Sequence, residues 1–149
     1  MKNVLIIGAG ISGLGAVRLA KHINFNVRVT SKDDITQSNK KLFCDLGVDF
    51  EEGEHSISNL SWADFIVKSP GVPQDIPLLK EAKSRSIPII SEIEFAYRNT
   101  DARIIAITGT NGKTTTASLM YYILQNAGID VALAGNIGVS FSESIINKK

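Results

Sequence analysis

Cysteine occurs once in this chain, at Cys44, tryptophan once and proline four times. A lone cysteine leaves no internal disulfide to substitute for a core, and it fits a reducing compartment, so the expected location is the cytoplasm. Long apolar runs are also missing: nothing approaches the roughly 20 residues that a membrane-spanning helix requires. The start comes nearest, with Lys2 ahead of a mostly apolar stretch from Val4 to Val17. Gly8, Gly10, Gly13 and Gly15 interrupt that stretch, no small-residue cleavage site follows, and Arg18 and Lys21 continue an amphipathic pattern, which excludes a secretion signal. No charge of one sign dominates, because 16 Lys and Arg stand against 15 Asp and Glu for a net charge of +1. Without a basic field the chain has no means of holding a nucleic-acid backbone or an anionic membrane.

What is present is the composition of a folded protein, 149 residues of which 44% are apolar and 21% charged, without internal repeats or low-complexity tracts. Short apolar runs at Val4–Ile7, Val27–Thr30, Phe65–Lys68, Pro88–Ile90 and Ile104–Thr108 alternate with helical patterns. That order predicts an α/β fold, a Rossmann-like parallel sheet with helices on both faces. The helices expected are Ser12 to Ile23, with Leu14, Val17, Leu19, Ala20 and Ile23 buried; Ser38 to Leu46; one capped by Asp75, with Pro77 in its first turn and Leu78, Leu79 and Ala82 inward; and a short one from Glu92 to Tyr97. The polar break Arg98-Asn99-Thr100-Asp101 marks a domain boundary, giving residues 1–98 and 99–149. The second unit offers one strand, a helix from Thr114 to Ala127, a short strand near Val131–Leu133 and the start of another element after Gly138. So few elements cannot close a core, and the expectation is the truncated beginning of a P-loop-type ATP-binding domain.

The most informative stretch is Thr108-Gly109-Thr110-Asn111-Gly112-Lys113-Thr114-Thr115-Thr116, which a strand pattern enters and a helical pattern leaves. Glycines let a backbone turn back and aim several N–H groups at one anion, and the helix beginning there adds its positive end. Phosphate is the expected guest, with Lys113 reaching the outer phosphates and the Thr114 hydroxyl ligating the accompanying Mg²⁺. Ala117, Met120, Tyr121, Leu124 and Ala127 share one face of the following helix and Gly128 stops it. Only Thr110 and Asn111 separate Gly109 from Gly112, where the general phosphate loop has four residues between its glycines. A glycine-rich strand-to-helix turn with a solvent-exposed lysine is the plainer alternative.

A second glycine turn, Gly8-Ala9-Gly10-Ile11-Ser12-Gly13, follows the first strand and opens the first helix, as a dinucleotide fingerprint does. An NAD site also needs an acidic residue at the end of the second strand. That edge reads Val29-Thr30-Ser31-Lys32, with Asp33 and Asp34 slightly late. The turn therefore suits a different diphosphate-bearing ligand, or glycines that only permit close helix packing.

The stretch Thr108 to Thr116 resembles the ATP loop of the Mur ligases and their folylpolyglutamate synthetase relatives, whose form has the two-residue gap. Ser69-Pro70-Gly71-Val72-Pro73, Ser91-Glu92-Ile93-Glu94-Phe95 and Gly135-Asn136-Ile137-Gly138 are similar to motifs of the D-glutamate-adding branch, in the same order. The resemblance extends over essentially the whole chain. It implies a monomeric ligase that joins D-glutamate to UDP-N-acetylmuramoyl-L-alanine through an acyl phosphate, with ATP and Mg²⁺, in peptidoglycan synthesis. It further implies that Gly109, Thr110, Asn111, Gly112, Lys113, Thr114 and Thr115 bind ATP, with Lys113 catalytic through charge stabilisation and Thr114 on the metal. Ile11 and Ser12 match positions touching the UDP diphosphate, Ser69, Pro70 and Gly71 those around uracil, and Asn136 one facing the UDP-sugar. Ser31 stands where the family often has an acid, so the nucleoside contacts of Thr30, Ser31 and Lys32 depart from the pattern. The family's modified lysine, its metal-binding Glu and His and its amino-acid-binding domain fall beyond Lys149, so the chain alone is expected to be inactive. Another Mur-type or folylpolyglutamate-type ligase and an NAD-dependent oxidoreductase are the alternatives, although the last leaves Lys113 without a task.

Other conspicuous residues read as structural. Cys44 sits on a helical pattern beside Phe43 as a small buried hydrophobe, and Trp62 and Phe65 read as core. His22 suits a helix C-terminus, His55 has no ligand-like spacing, and Glu92 and Glu94 cover a helix start.

Overall fold

The computed structural model describes residues 1–135 and 138–146. Its centre is a parallel sheet of β1 (Asn3–Ile7), β2 (Asn26–Ser31), β3 (Asp49–Glu52), β4 (Phe65–Lys68) and β5 (Ile89–Ser91), in the order β3-β2-β1-β4-β5. The first connections step outward from β1 to β2 and β3, and the next returns to β1's other side as β4. The order therefore reverses beside β1, and the turn leaving β1 lies at the switch point where open parallel sheets form their crevice.

Strand β1 shows why both faces must be covered. Val4 and Ile6 point into one apolar cluster, Leu5 and Ile7 into the other, and all four are fully buried. Period-two alternation of this kind has no solvent face, as expected of a parallel strand with helices on both sides. On the first face lie α1 (Ile11–His22), with Ala16, Val17, Leu19 and Ala20, α2 (Gln37–Asp45), with Phe43, and α4 (Glu92–Tyr97), with Phe95 and Ala96. Phe65 is half-buried and meets Phe25 edge to face, with ring centroids 6.1 Å apart. On the second face, α3 (Pro77–Ser84) brings Leu78, Leu79 and Ala82, and a short 3-10 helix, Ile57–Ser61, brings Leu60.

Several expectations are corrected. The residue capping α3 is Ile76, not Asp75, and no side chain caps the helix; Pro77 in the first turn removes one of the amides that a cap would serve. Cys44 is exposed, because α2 turns Phe43 inward and its neighbour is rotated about 100° away. Trp62 is half-buried, under the Arg28 guanidinium at 4.6 Å from its ring centre. Ile104–Thr108 and Val131–Leu133 form no strand. A strand is held by a ladder, and among the described residues the sheet ends at β5, so strand propensity alone does not make strands of these segments. Beyond them, α5 (Lys113–Asn126) buries no residue. Ala117, Met120, Tyr121 and Leu124 are its less exposed side, whereas Ala127 is exposed and Leu119, Tyr122 and Ile123 stand at least half in solvent. The chain then returns as α6 (Phe141–Ile146), whose Phe141, Ile145 and Ile146 pack against the first-face core beside α1 and α4.

Candidate nucleotide and substrate sites

The glycine turn after β1 is shaped by two glycines with different tasks. Gly8 adopts φ +98°, in the left-handed region, and its N–H donates to the Thr30 carbonyl at 2.9 Å. Gly13 brings α1 down onto the turn so closely that a Cβ there would lie 1.9 Å from the Gly8 carbonyl oxygen. Between them Gly10 caps α1 in an extended conformation, and a Cβ on it would meet nothing within 4 Å. The turn is therefore packed behind and open in front, and α1 directs its unbonded amides into the opening.

Three strand ends surround this opening. Ile11 and Ser12 begin α1, Ile11 with 73% of its surface exposed. Ser31 and Lys32 end β2, Ser31 buried and Lys32 exposed, while the neighbouring Thr30 hydroxyl is committed to Glu51 Oε1, the Glu54 carbonyl and His55 Nδ1. Ser69, Pro70 and Gly71 follow β4, and the Ser69 N–H donates to the Ile7 carbonyl at 3.0 Å. The Ser69 hydroxyl is buried with no hydrogen-bond partner among the described residues, and it packs where Gly8 and Gly13 lack side chains, 3.0 and 3.4 Å from the positions a Cβ would take there. Lys68 fixes this loop: its ammonium donates to the carbonyls of Ser69 at 3.1 Å and Val72 at 2.5 Å. Sequence reasoning missed Lys68, whose position at a strand end was its one visible signal.

A polar cluster stands beside the β2 end. Glu51 Oε1 accepts from the Thr30 hydroxyl at 2.7 Å and from Ser56 N and Asn59 Nδ2 at 2.8 Å each. Burial alone would raise the Glu51 pKa, but these hydrogen bonds outweigh it and hold the carboxyl below its ordinary 4.5. Burial depresses His55 below its ordinary 6.5, Lys32 adds to this, and Glu51 and Asp33 oppose it.

The phosphate-loop segment is solvent-exposed. Gly109 has φ +149° and Gly112 φ +74°, two conformations that glycine adopts without strain, and Gly112 caps α5. The first helical bond runs from Thr116 N to the Gly112 carbonyl, and no side chain caps the amides ahead of it. Lys113 arches back over the loop, donating to the carbonyls of Gly109 and Thr110. Thr110, Asn111, Thr114 and Thr115 are all exposed around it. The chemistry present fits a phosphate chain: uncapped amides at the start of α5, left-handed Gly112 ahead of them, and the Lys113 ammonium over the loop. Among the described residues no group of three or more His, Cys, Asp or Glu could hold a metal ion. Asn136 lies outside the described residues.

Residues 2–91 match the profile of the Mur ligase MurD-like N-terminal domain, and residues 107–148 match the Mur ligase middle domain. The chain belongs to the Mur ligase family. The UDP-N-acetylmuramoylalanine–D-glutamate ligase of Bacteroides fragilis is 48% identical over 149 residues, which is 100% of this chain and 34% of that ligase. The ligase of the same name from Cytophaga hutchinsonii is 43% identical over 150 residues, covering 99% of this chain and 33% of its own length. The chain thus spans about a third of these Mur ligases. Among solved structures, the murein peptide ligase Mpl of Psychrobacter arcticus superposes with a TM-score of 0.64 at 25% identity, over 91% of this chain and 28% of that one. The UDP-N-acetylmuramate–alanine ligase MurC of Thermotoga maritima shares the fold, with a TM-score of 0.58 at 23% identity over 86% of this chain and 30% of that one.

Proposed function

We propose that this chain is the substrate- and nucleotide-binding front of an ATP-dependent ligase that joins D-glutamate to UDP-N-acetylmuramoyl-L-alanine in cytoplasmic peptidoglycan synthesis. The observation that carries the reading is the phosphate loop, with Gly112 left-handed ahead of α5 and the Lys113 ammonium over its carbonyls. The relatives at 43–48% identity, named for this substrate and this amino acid, support the choice within the family.

The division of labour follows the elements. Residues 1–98 form the UDP-substrate domain, and residues 99–149 begin the ATP-binding domain. Ile11 and Ser12 at the start of α1 face the diphosphate. Ser69, Pro70 and Gly71 flank the uracil, with the Ser69 hydroxyl, which has no partner among the described residues, able to donate to it. Ser31 and Lys32 border the nucleoside without supplying an acid. Asn136 matches, by sequence, the family position assigned to the UDP-sugar substrate. Gly109, Thr110, Asn111, Gly112, Lys113, Thr114 and Thr115 hold ATP, and Thr114 adds its hydroxyl to Mg²⁺. ATP would supply the phosphoryl group that activates the L-alanine carboxylate of the UDP-sugar peptide, and phosphate would leave when the D-glutamate amine forms the amide. Lys113 stabilises negative charge on the phosphoryl group as it moves, acting as neither nucleophile nor base. The working unit is a monomer.

The test is an amide-ligation assay on a protein that joins this chain to the remaining two-thirds present in its relatives. ATP-dependent incorporation of D-glutamate is expected. Incorporation of a different amino acid instead would move the reading to another Mur ligase, and absence of ATP-dependent coupling would remove it.

A further inference from the structure

Glu92 carries a carboxyl group and is the first residue of α4, yet it is only 2% exposed. Its Oε1 accepts the backbone N–H of Ser142 at 2.7 Å, a buried bond between residues 50 positions apart. This is where α6 meets the rest of the molecule. Ser140 and Ser142 are buried with it, and Ser140 Oγ accepts from Glu143 N at 3.2 Å. From α1, Gly15 faces Ser140 so closely that a Cβ would fall 1.8 Å from its Oγ and 2.9 Å from its Cβ, and Arg18 pairs with Glu143. The contact joins the two matched regions: α1 lies within residues 2–91, and α6 within residues 107–148.

The geometry points to a positioning role for Glu92, as the buried acceptor that docks residues 138–146 onto α1 and α4. A second observation makes the role more than packing: Gly15 sits one helical turn beyond Ile11 and Ser12, so α6 and Ser140 ahead of it touch the same helix whose first turn borders the glycine opening. The inference that Glu92 tunes substrate affinity rests on the proposed function; the inference that it docks α6 does not.

The test measures hydrogen–deuterium exchange and calorimetric titration with UDP-N-acetylmuramoyl-L-alanine on the 149-residue chain, in the unsubstituted form, Glu92→Ala and Glu92→Gln. Losing the acceptor leaves a buried N–H unpaired, so Glu92→Ala should speed exchange of α6 amides and weaken the ligand by about tenfold each, with β1 and β4 amides unchanged. Glu92→Gln keeps an acceptor oxygen and should restore both. Should Glu92→Ala fail to fold, Gly15→Ala keeps α1 helical while pushing Ser140 away, and it is expected to give the same two effects. Unchanged α6 exchange in the folded variant, or a Glu92→Gln as loose as Glu92→Ala, would overturn the docking role. Faster α6 exchange with unaltered affinity would overturn the positioning role. An unsubstituted chain that fails to bind the ligand would sink the proposed function, leaving the docking to be judged by exchange alone.

Discussion

Gly13 presses on Gly8: a single added carbon at residue 13 would come within 1.9 Å of the Gly8 carbonyl oxygen and 2.9 Å of its carbonyl carbon. Both are backbone atoms, so no rotamer can relieve the collision. Gly13→Ala should separate α1 from β1 and destabilise the chain by about 3 kcal/mol or more, the size expected for backbone overpacking in a core. Gly10→Ala is the control, because Gly10 has φ −79° and open space before it. Urea unfolding should place it within about 0.5 kcal/mol of the unsubstituted chain, while its methyl occupies room that a diphosphate needs. Equal stability losses in the two variants would contradict this division.

Lys68→Met removes the donor shared by the Ser69 and Val72 carbonyls and leaves the β4 backbone in place. The expected cost is about 1–3 kcal/mol, together with weaker binding of UDP-N-acetylmuramoyl-L-alanine. A variant with undiminished affinity would show that the loop holds itself.

The Glu51 and His55 shifts act in one direction. His55 has a folded pKa below 6.5, so its stabilising share is fully present above pH 6.5 and is lost as pH falls through the folded value. Glu51 lies below 4.5, so its share is present above pH 4.5 and is lost at still lower pH. Thermal unfolding should be flat between pH 7 and 8 as far as these groups are concerned and decline in two stages on acidification. His55→Gln should remove the earlier stage and Glu51→Gln the later one; profiles parallel to the unsubstituted chain would refute the assignment.

Lys113→Ala, placed in a protein with all the family's domains, should reduce turnover by about 10²–10³-fold, as removal of one donor to a developing charge does. Lys113 is exposed, so the melting temperature should barely move. Near-normal turnover would take the phosphate role from this residue.

The central strands and α1 were legible in the sequence because burial on both faces writes itself as continuous apolar runs and helical stripes, as at Val4–Ile7 and Val17–Ala20. Strand β3 was not, since Asp-Phe-Glu-Glu carries no such pattern; it forms at the sheet edge through its ladder to β2 and the Arg28–Asp49 ion pair at 3.5 Å. The opposite error arose at Ile104–Thr108, where strand-forming residues lack a neighbouring strand. Both glycine turns could be found because left-handed backbone at Gly8, Gly109 and Gly112 and the close approach at Gly13 call for glycine at fixed places between a strand or strand-like run and a helix. Glu92 looked like an ordinary first-turn acid because its partner lies 50 residues away, a distance that no local pattern encodes.

The most direct test is calorimetric titration of UDP-N-acetylmuramoyl-L-alanine and of NADH into the chain, since both ligands carry a diphosphate and only the second needs an acid at the end of β2. Saturable one-to-one binding of the UDP-sugar peptide, weakened in Gly10→Ala, with no heat from NADH, is the predicted result. Tight NADH binding with no response to the UDP ligand would contradict the account.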